Sequence, residues 1–114
     1  MKHQFNISYL DNEKVIFCIY SFIKQRIDYY MFYHYNKNNM HNNKSIIKEI
    51  RQSVNIDLSN YLILLINQYS SYYIDINGSN KAMFLDLLLN KWNPIIKTEL
   101  ELRIEHMQTY IMSQ

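Results

Sequence analysis

The chain has 114 residues, 48% of them apolar and 15% aromatic, with 19% charged and a formal net charge of +2; that is the size and composition of one domain around one core. Its one Gly, one Pro and one Cys exclude the Gly-rich loops that cradle phosphates, an internal disulfide, and the turn-rich all-β folds. Long uninterrupted elements remain, and these favour helices.

Taken in chain order, Phe5, Ile7 and Tyr9 alternate with polar residues and predict a short strand over 5–9. Asp11 or Asn12 then caps a helix whose apolar positions include Ile16, Ile19, Ile23, Ile27, Tyr30 and Met31, extending to about Tyr35. Phe17, Phe22, Phe32 and Tyr33 widen this stripe, so the helix is expected at the centre of the fold, covered on more than one side. Cys18, between Phe17 and Ile19, is expected as a small apolar core residue in a reducing compartment.

Residues 36–43 are polar and Asn-rich and predict a loop. A short helix follows with Ile46, Ile47, Ile50 and Val54 on one face. Asp57 or Ser59 caps a third helix through 61–66 to about Ser70. Tyr72, Ile74 and Ile76 alternate before the turn signal Asn77-Gly78, and Ser79 caps a fourth helix running to Trp92. Asn93-Pro94 is the strongest local boundary, because Asn suits an N-cap and Pro suits the first helical position. A fifth helix then carries Ile96, Leu100, Ile104, Met107 and Ile111. Residues 99–104 also alternate like a strand, but Leu, Glu and Arg favour helix. The expected fold is a mainly α, single-domain bundle of about five helices with at most a short strand or hairpin, and α+β is the alternative.

Chemistry finds little to stand on. His3, His34, His41 and His106 lack metal-ligand spacing and Cys18 is alone, so neither a metal nor another cofactor is expected. No nucleophile sits beside a base in a recognisable pattern, and the expectation is a protein that is not an enzyme. The N-terminus has no signal-peptide h-region. The apolar run over 15–23 is broken by Lys24, Gln25 and Arg26 short of the roughly 20 residues a membrane span needs. A cytoplasmic protein, or one of the host-cell cytoplasm if viral, without a membrane span is expected. Ile, Asn, Lys, Tyr and Phe make about half the chain, the residues that AT-rich codons specify, which fits a bacterium, a mobile element or a large DNA virus.

Two segments carry positive signals. Aromatic residues cluster over 29–35, and adjacent helical positions differ by about 100°, so Tyr29, Tyr33 and Tyr35 cannot all face a core. Tyr combines apolar area with a hydroxyl and few rotors and is enriched at interfaces. Tyr29, Tyr33 and Tyr35, rimmed by His41, are therefore candidate protein-binding residues. Asp86, Glu99, Glu101 and Glu105 are further candidates against a basic partner. The expected function is a protein-binding inhibitor or modulator that occludes its partner, of the immunity, antitoxin or viral host-modulating kind, with a toxin or host factor as partner. A homodimer is a further arrangement that exposed aromatics permit. The alternative is a nucleic-acid-binding regulator using Lys24, Arg26, Lys37, Lys44, Lys48 and Arg51 beside the aromatics.

Overall fold

The computed structural model of the chain describes residues 12–37, 44–70 and 78–112. They form three helices, α1 (Glu13–Lys37), α2 (Lys44–Ser70) and α3 (Gly78–Met112), and no strand occurs among them. The mainly helical bundle expected from the sequence is present, with three helices in place of five. The predicted strands over 5–9 and 72–76 lie outside the described residues, and 99–104 is helical.

α1 begins where the sequence places it. The Asn12 side-chain oxygen accepts the Lys14 N–H at 2.8 Å, and the Asn12 carbonyl accepts the Ile16 N–H at 2.9 Å as the first helical bond. α2 and α3 each run through a predicted boundary, and the reason is the core. The buried positions are Ile46, Ile50, Val54, Leu58, Leu62 and Ile66 in α2, and Phe84, Leu88, Trp92, Ile96, Leu100 and Ile104 in α3. Every fourth residue is buried, without a break in register.

A cap contributes about 1 kcal/mol, whereas burying one Leu or Ile contributes about 1.5–3 kcal/mol. Ending a helix at Asp57 or Ser59 would sacrifice the register linking Val54 to Leu58 and Leu62. Pro94 inside a helix costs about 3 kcal/mol, and the buried Trp92 and Ile96 on either side offset it. Pro94 itself is exposed, so its ring does not disturb the core.

A four-residue step advances about 40° around a helix, so each buried stripe winds rather than running straight. One helix therefore presents its core to different neighbours along its length. α2 does this most: it packs along both α1 and α3, which meet each other at few points. The centre of the bundle is thus α2 and not α1. α1 instead leaves Phe17 and Phe32 exposed, and Cys18, expected in the core, is exposed beside Phe17.

Contacts fix the directions. Phe22 stacks on Tyr61 with ring centroids 4.4 Å apart, and Arg26 pairs with Asp57, so α1 and α2 are antiparallel. Tyr20 bonds Glu99 and Asp28 pairs with Arg103, so α1 and α3 run the same way. The up-down-up bundle measures 62 × 24 × 18 Å.

Candidate functional site

Viewed down α1, the core residues Ile19, Ile23, Ile27, Met31 and His34 occupy one side. The flank toward α2 holds Phe22, Arg26 and Tyr30. Arg26 Nε donates to Asp57 Oδ2 at 2.8 Å, and the Tyr30 hydroxyl donates to the same oxygen at 2.6 Å. Arg26 also reaches the Tyr30 oxygen at 3.3 Å. The hydrogen bond from Arg26 to Tyr30, followed by that to Asp57, keeps the Arg26 pKa above its ordinary value against the opposing effect of burial. Donation to Asp57 raises the Tyr30 pKa, and burial adds to the rise. A shallow cleft of about 270 Å³ lies beside this cluster, lined by Phe22, Arg26, Asp57, Asn60, Tyr61 and Leu64.

The outward side of α1 is different. Phe17 is 71% exposed, Phe32 70%, Tyr29 55% and Tyr33 45%. Cys18 and Gln25 are exposed between them and Ser21 is half-buried. Of the charged residues between Phe17 and Tyr33, Asp28 alone is exposed, and Arg103 Nη1 lies 3.1 Å from its Oδ1. The outer faces of surface helices are normally rich in charge. This one is aromatic and nearly uncharged.

Tyr29 and Tyr33 thus stand on the predicted face. The Arg26 guanidinium lies 4.7 Å from the Tyr29 ring centre, and Tyr33 packs edge-on against His34. Tyr35 lies in α1, but its side chain, like that of Lys37, is outside the description, and His41 lies outside the described residues altogether. Phe17 and Phe32 were absent from the predicted set. Their signal was legible: once the core is taken as every fourth residue from Ile19, both fall on the opposite side.

The acidic candidates do not converge. Asp86 and Glu101 are exposed but sit fifteen residues apart in α3, about 22 Å along the axis. Glu99 is turned inward, where it accepts the Tyr20 hydroxyl, and Glu105 is exposed. Among the basic candidates, Arg26 is engaged by Asp57, and Lys24 lies over the Tyr20 ring at 4.7 Å. Lys44, Lys48 and Arg51 are exposed, and their spacing sets them within about 60° of one another on α2.

Among the described residues, no three His, Cys, Asp or Glu side chains come together as a metal site, and no helix is long and apolar enough to cross a membrane. No family model matches the chain, no curated protein matches its sequence, and no solved structure matches its fold.

Proposed function

We propose that this protein is a non-enzymatic protein-binding module that inhibits or modulates its partner by occluding it, with the outward face of α1 as the contact. The observation that carries this reading is the near-absence of charge on that face together with four exposed aromatic side chains, Phe17, Tyr29, Phe32 and Tyr33. Such residues are typical of buried interface centres, where aromatic anchors supply area at low entropic cost and charges are depleted. The partner surface is apolar and weakly charged to match. With the contact on this face the partner, a toxin or a host factor, need not be basic.

The test is capture of a partner from the native source by the intact chain, compared with capture by the Tyr29→Ser, Phe32→Ser, Tyr33→Ser triple variant. These side chains are exposed, so the variant is expected to keep its helical circular dichroism and lose at least about tenfold in affinity, in line with the loss of hot-spot aromatics. Undiminished capture would refute the assignment.

A second reading rests on a separate observation. Lys44, Lys48 and Arg51 share an exposed face in the first turns of α2, the positive end of the helix dipole, where cations are disfavoured unless a polyanion meets them. In this reading the chain contacts nucleic-acid phosphates there. Affinity would fall steeply as salt rises, with the slope reduced by about one for each cation removed. An aromatic protein interface would show little salt response.

A further inference from the structure

The outward face of α1 has an internal symmetry about Gln25. Seven residues before it and seven after it stand Cys18 and Phe32, and four before and four after stand Ser21 and Tyr29. Small side chains occupy one half and large ones the other. With about 100° per residue, Cys18, Ser21, Gln25, Tyr29 and Phe32 fall within an arc of about 80°. The recess lined by Glu13, Lys14, Phe17 and Cys18 lies at the small-residue end of this seam, and Phe32, 70% exposed, projects at the other.

Resting on the reading of this face as a docking surface, we infer that in the absence of its target the face is covered by a second copy of the chain, the two α1 helices packing antiparallel across a two-fold axis at Gln25. An isologous contact of this kind requires that each surface complement itself, and the seam does. The partner's Phe32 enters the recess beside Phe17 and Cys18, the partner's Tyr29 lies over Ser21, and both relations occur twice. On the axis Gln25 meets the partner's Gln25, and two side-chain amides can each donate and accept a hydrogen bond.

The same two-fold sets Lys24 level with the partner's Arg26, a cation whose charge its own Asp57 balances. Asp28 has a side chain 61% exposed even while paired with Arg103. Phe17, Tyr29 and Phe32 expose roughly 400 Å² together at about 200 Å² per ring side chain. With Cys18, Ser21, Lys24, Gln25 and Asp28 around them, the surface approaches the roughly 800 Å² per chain of a standard interface. Self-pairing would therefore regulate the docking face: target and second copy compete for the same residues, and raising the protein concentration lowers the fraction able to bind.

The experiment uses the axis. A charge placed at Gln25 meets its own image in the homodimer, so Gln25→Lys and Gln25→Glu alone are each expected to sediment as monomers, with self-affinity reduced by more than about tenfold. An equimolar mixture of the two is expected to restore the dimer, because Lys then faces Glu. Gln25 is exposed, so both variants should retain the wild-type helical signal. In a Cys18→Ser background, Gln25→Cys is expected to form an interchain disulfide on mild oxidation, since only a residue on the axis brings its own copy within disulfide reach.

A wild-type monomer at chain concentrations up to about 100 µM, where even a weak interface of this size would pair, would overturn the proposal. So would a dimer that Gln25→Lys leaves intact. Either result would leave the partner-capture test of the α1 face standing. Loss of partner capture by the triple variant is read independently of self-association.

Discussion

The middle of α2 and the middle of α3 contain the same kind of local chemistry and hold their helices by different means. Both carry residues that usually punctuate a helix, Asn55, Asp57 and Ser59 in one, Asn93 and Pro94 in the other. In both, a hydroxyl four residues on bonds back to a carbonyl: Ser59 Oγ to Asn55 O and Thr98 Oγ1 to Pro94 O, each at 3.0 Å. In α2 the polar group is taken up by a neighbouring helix, since Asp57 receives both Arg26 and Tyr30. In α3 Pro94 leaves the Asn90 carbonyl without its helical donor, and the buried Trp92 Nε1 and Asn93 Oδ1, like Asn55 Oδ1 in α2, have no hydrogen-bond partner among the described residues. α2 is tied across its weak point by core and polar contacts together. α3 depends on the side chains flanking Pro94.

That contrast can be broken from the α3 side first. Trp92 is 2% exposed, and Trp92→Ala is expected to destabilise the fold by about 3–5 kcal/mol, read as a lower denaturant midpoint. A loss under about 1 kcal/mol would mean that the stripe does not hold α3 together across Pro94. Pro94→Ala restores an N–H and removes the ring from the helix. It is expected to stabilise by about 2 kcal/mol, the helix-interior cost less the lost rigidity of the unfolded chain. A destabilised Pro94→Ala would show instead that the bundle needs the proline's geometry.

On the α2 side, Asp57→Ala should cost about 1–2 kcal/mol, because Arg26 and Tyr30 are then left without their shared acceptor at a site that is only partly screened. A double-mutant cycle with Arg26→Ala should return a coupling near 1 kcal/mol, and additive effects would dissolve the cluster as a tie between helices.

The smallest effect concerns pH. The Tyr30 pKa is raised in the folded chain, so the fold favours the neutral phenol. Its contribution is complete below the ordinary tyrosine pKa near 10 and is lost as pH rises through the folded value. Tyr30→Phe should therefore flatten the decline in stability above about pH 10. A residual slope is expected from Tyr61, whose pKa burial raises. An unchanged slope in Tyr30→Phe would place the alkaline sensitivity elsewhere.

These two junctions also show which parts of the fold the sequence made legible. The start of α1 was readable because Asn12 is a local signal acting on the next few N–H groups, and nothing in the core contradicts it. The breaks read at residues 57–59 and 93–94 were equally local, but there the four-residue register of buried side chains opposed them and outweighed them. Reading that register before the caps would have joined the segments. The pairing of Arg26 with Asp57, thirty-one residues apart, had no local trace. Tyr29 and Tyr33 were legible because crowded aromatics cannot share one side of a helix. Phe17 and Phe32 were missed because a wide apolar helix was read as central, whereas α2 takes that position.

The winding core has a consequence for how such a chain can change. Over the six buried residues from Phe84 to Ile104 the stripe turns by about 200°, so each core side chain has its own azimuth as well as its own height. A substitution at an exposed site leaves those azimuths untouched. Deleting or inserting a single residue within α3 would rotate everything beyond it by about 100° and turn Ile96, Leu100 and Ile104 off their neighbours. Variants of this protein should therefore differ freely in surface residues and hold the helix lengths between core positions constant.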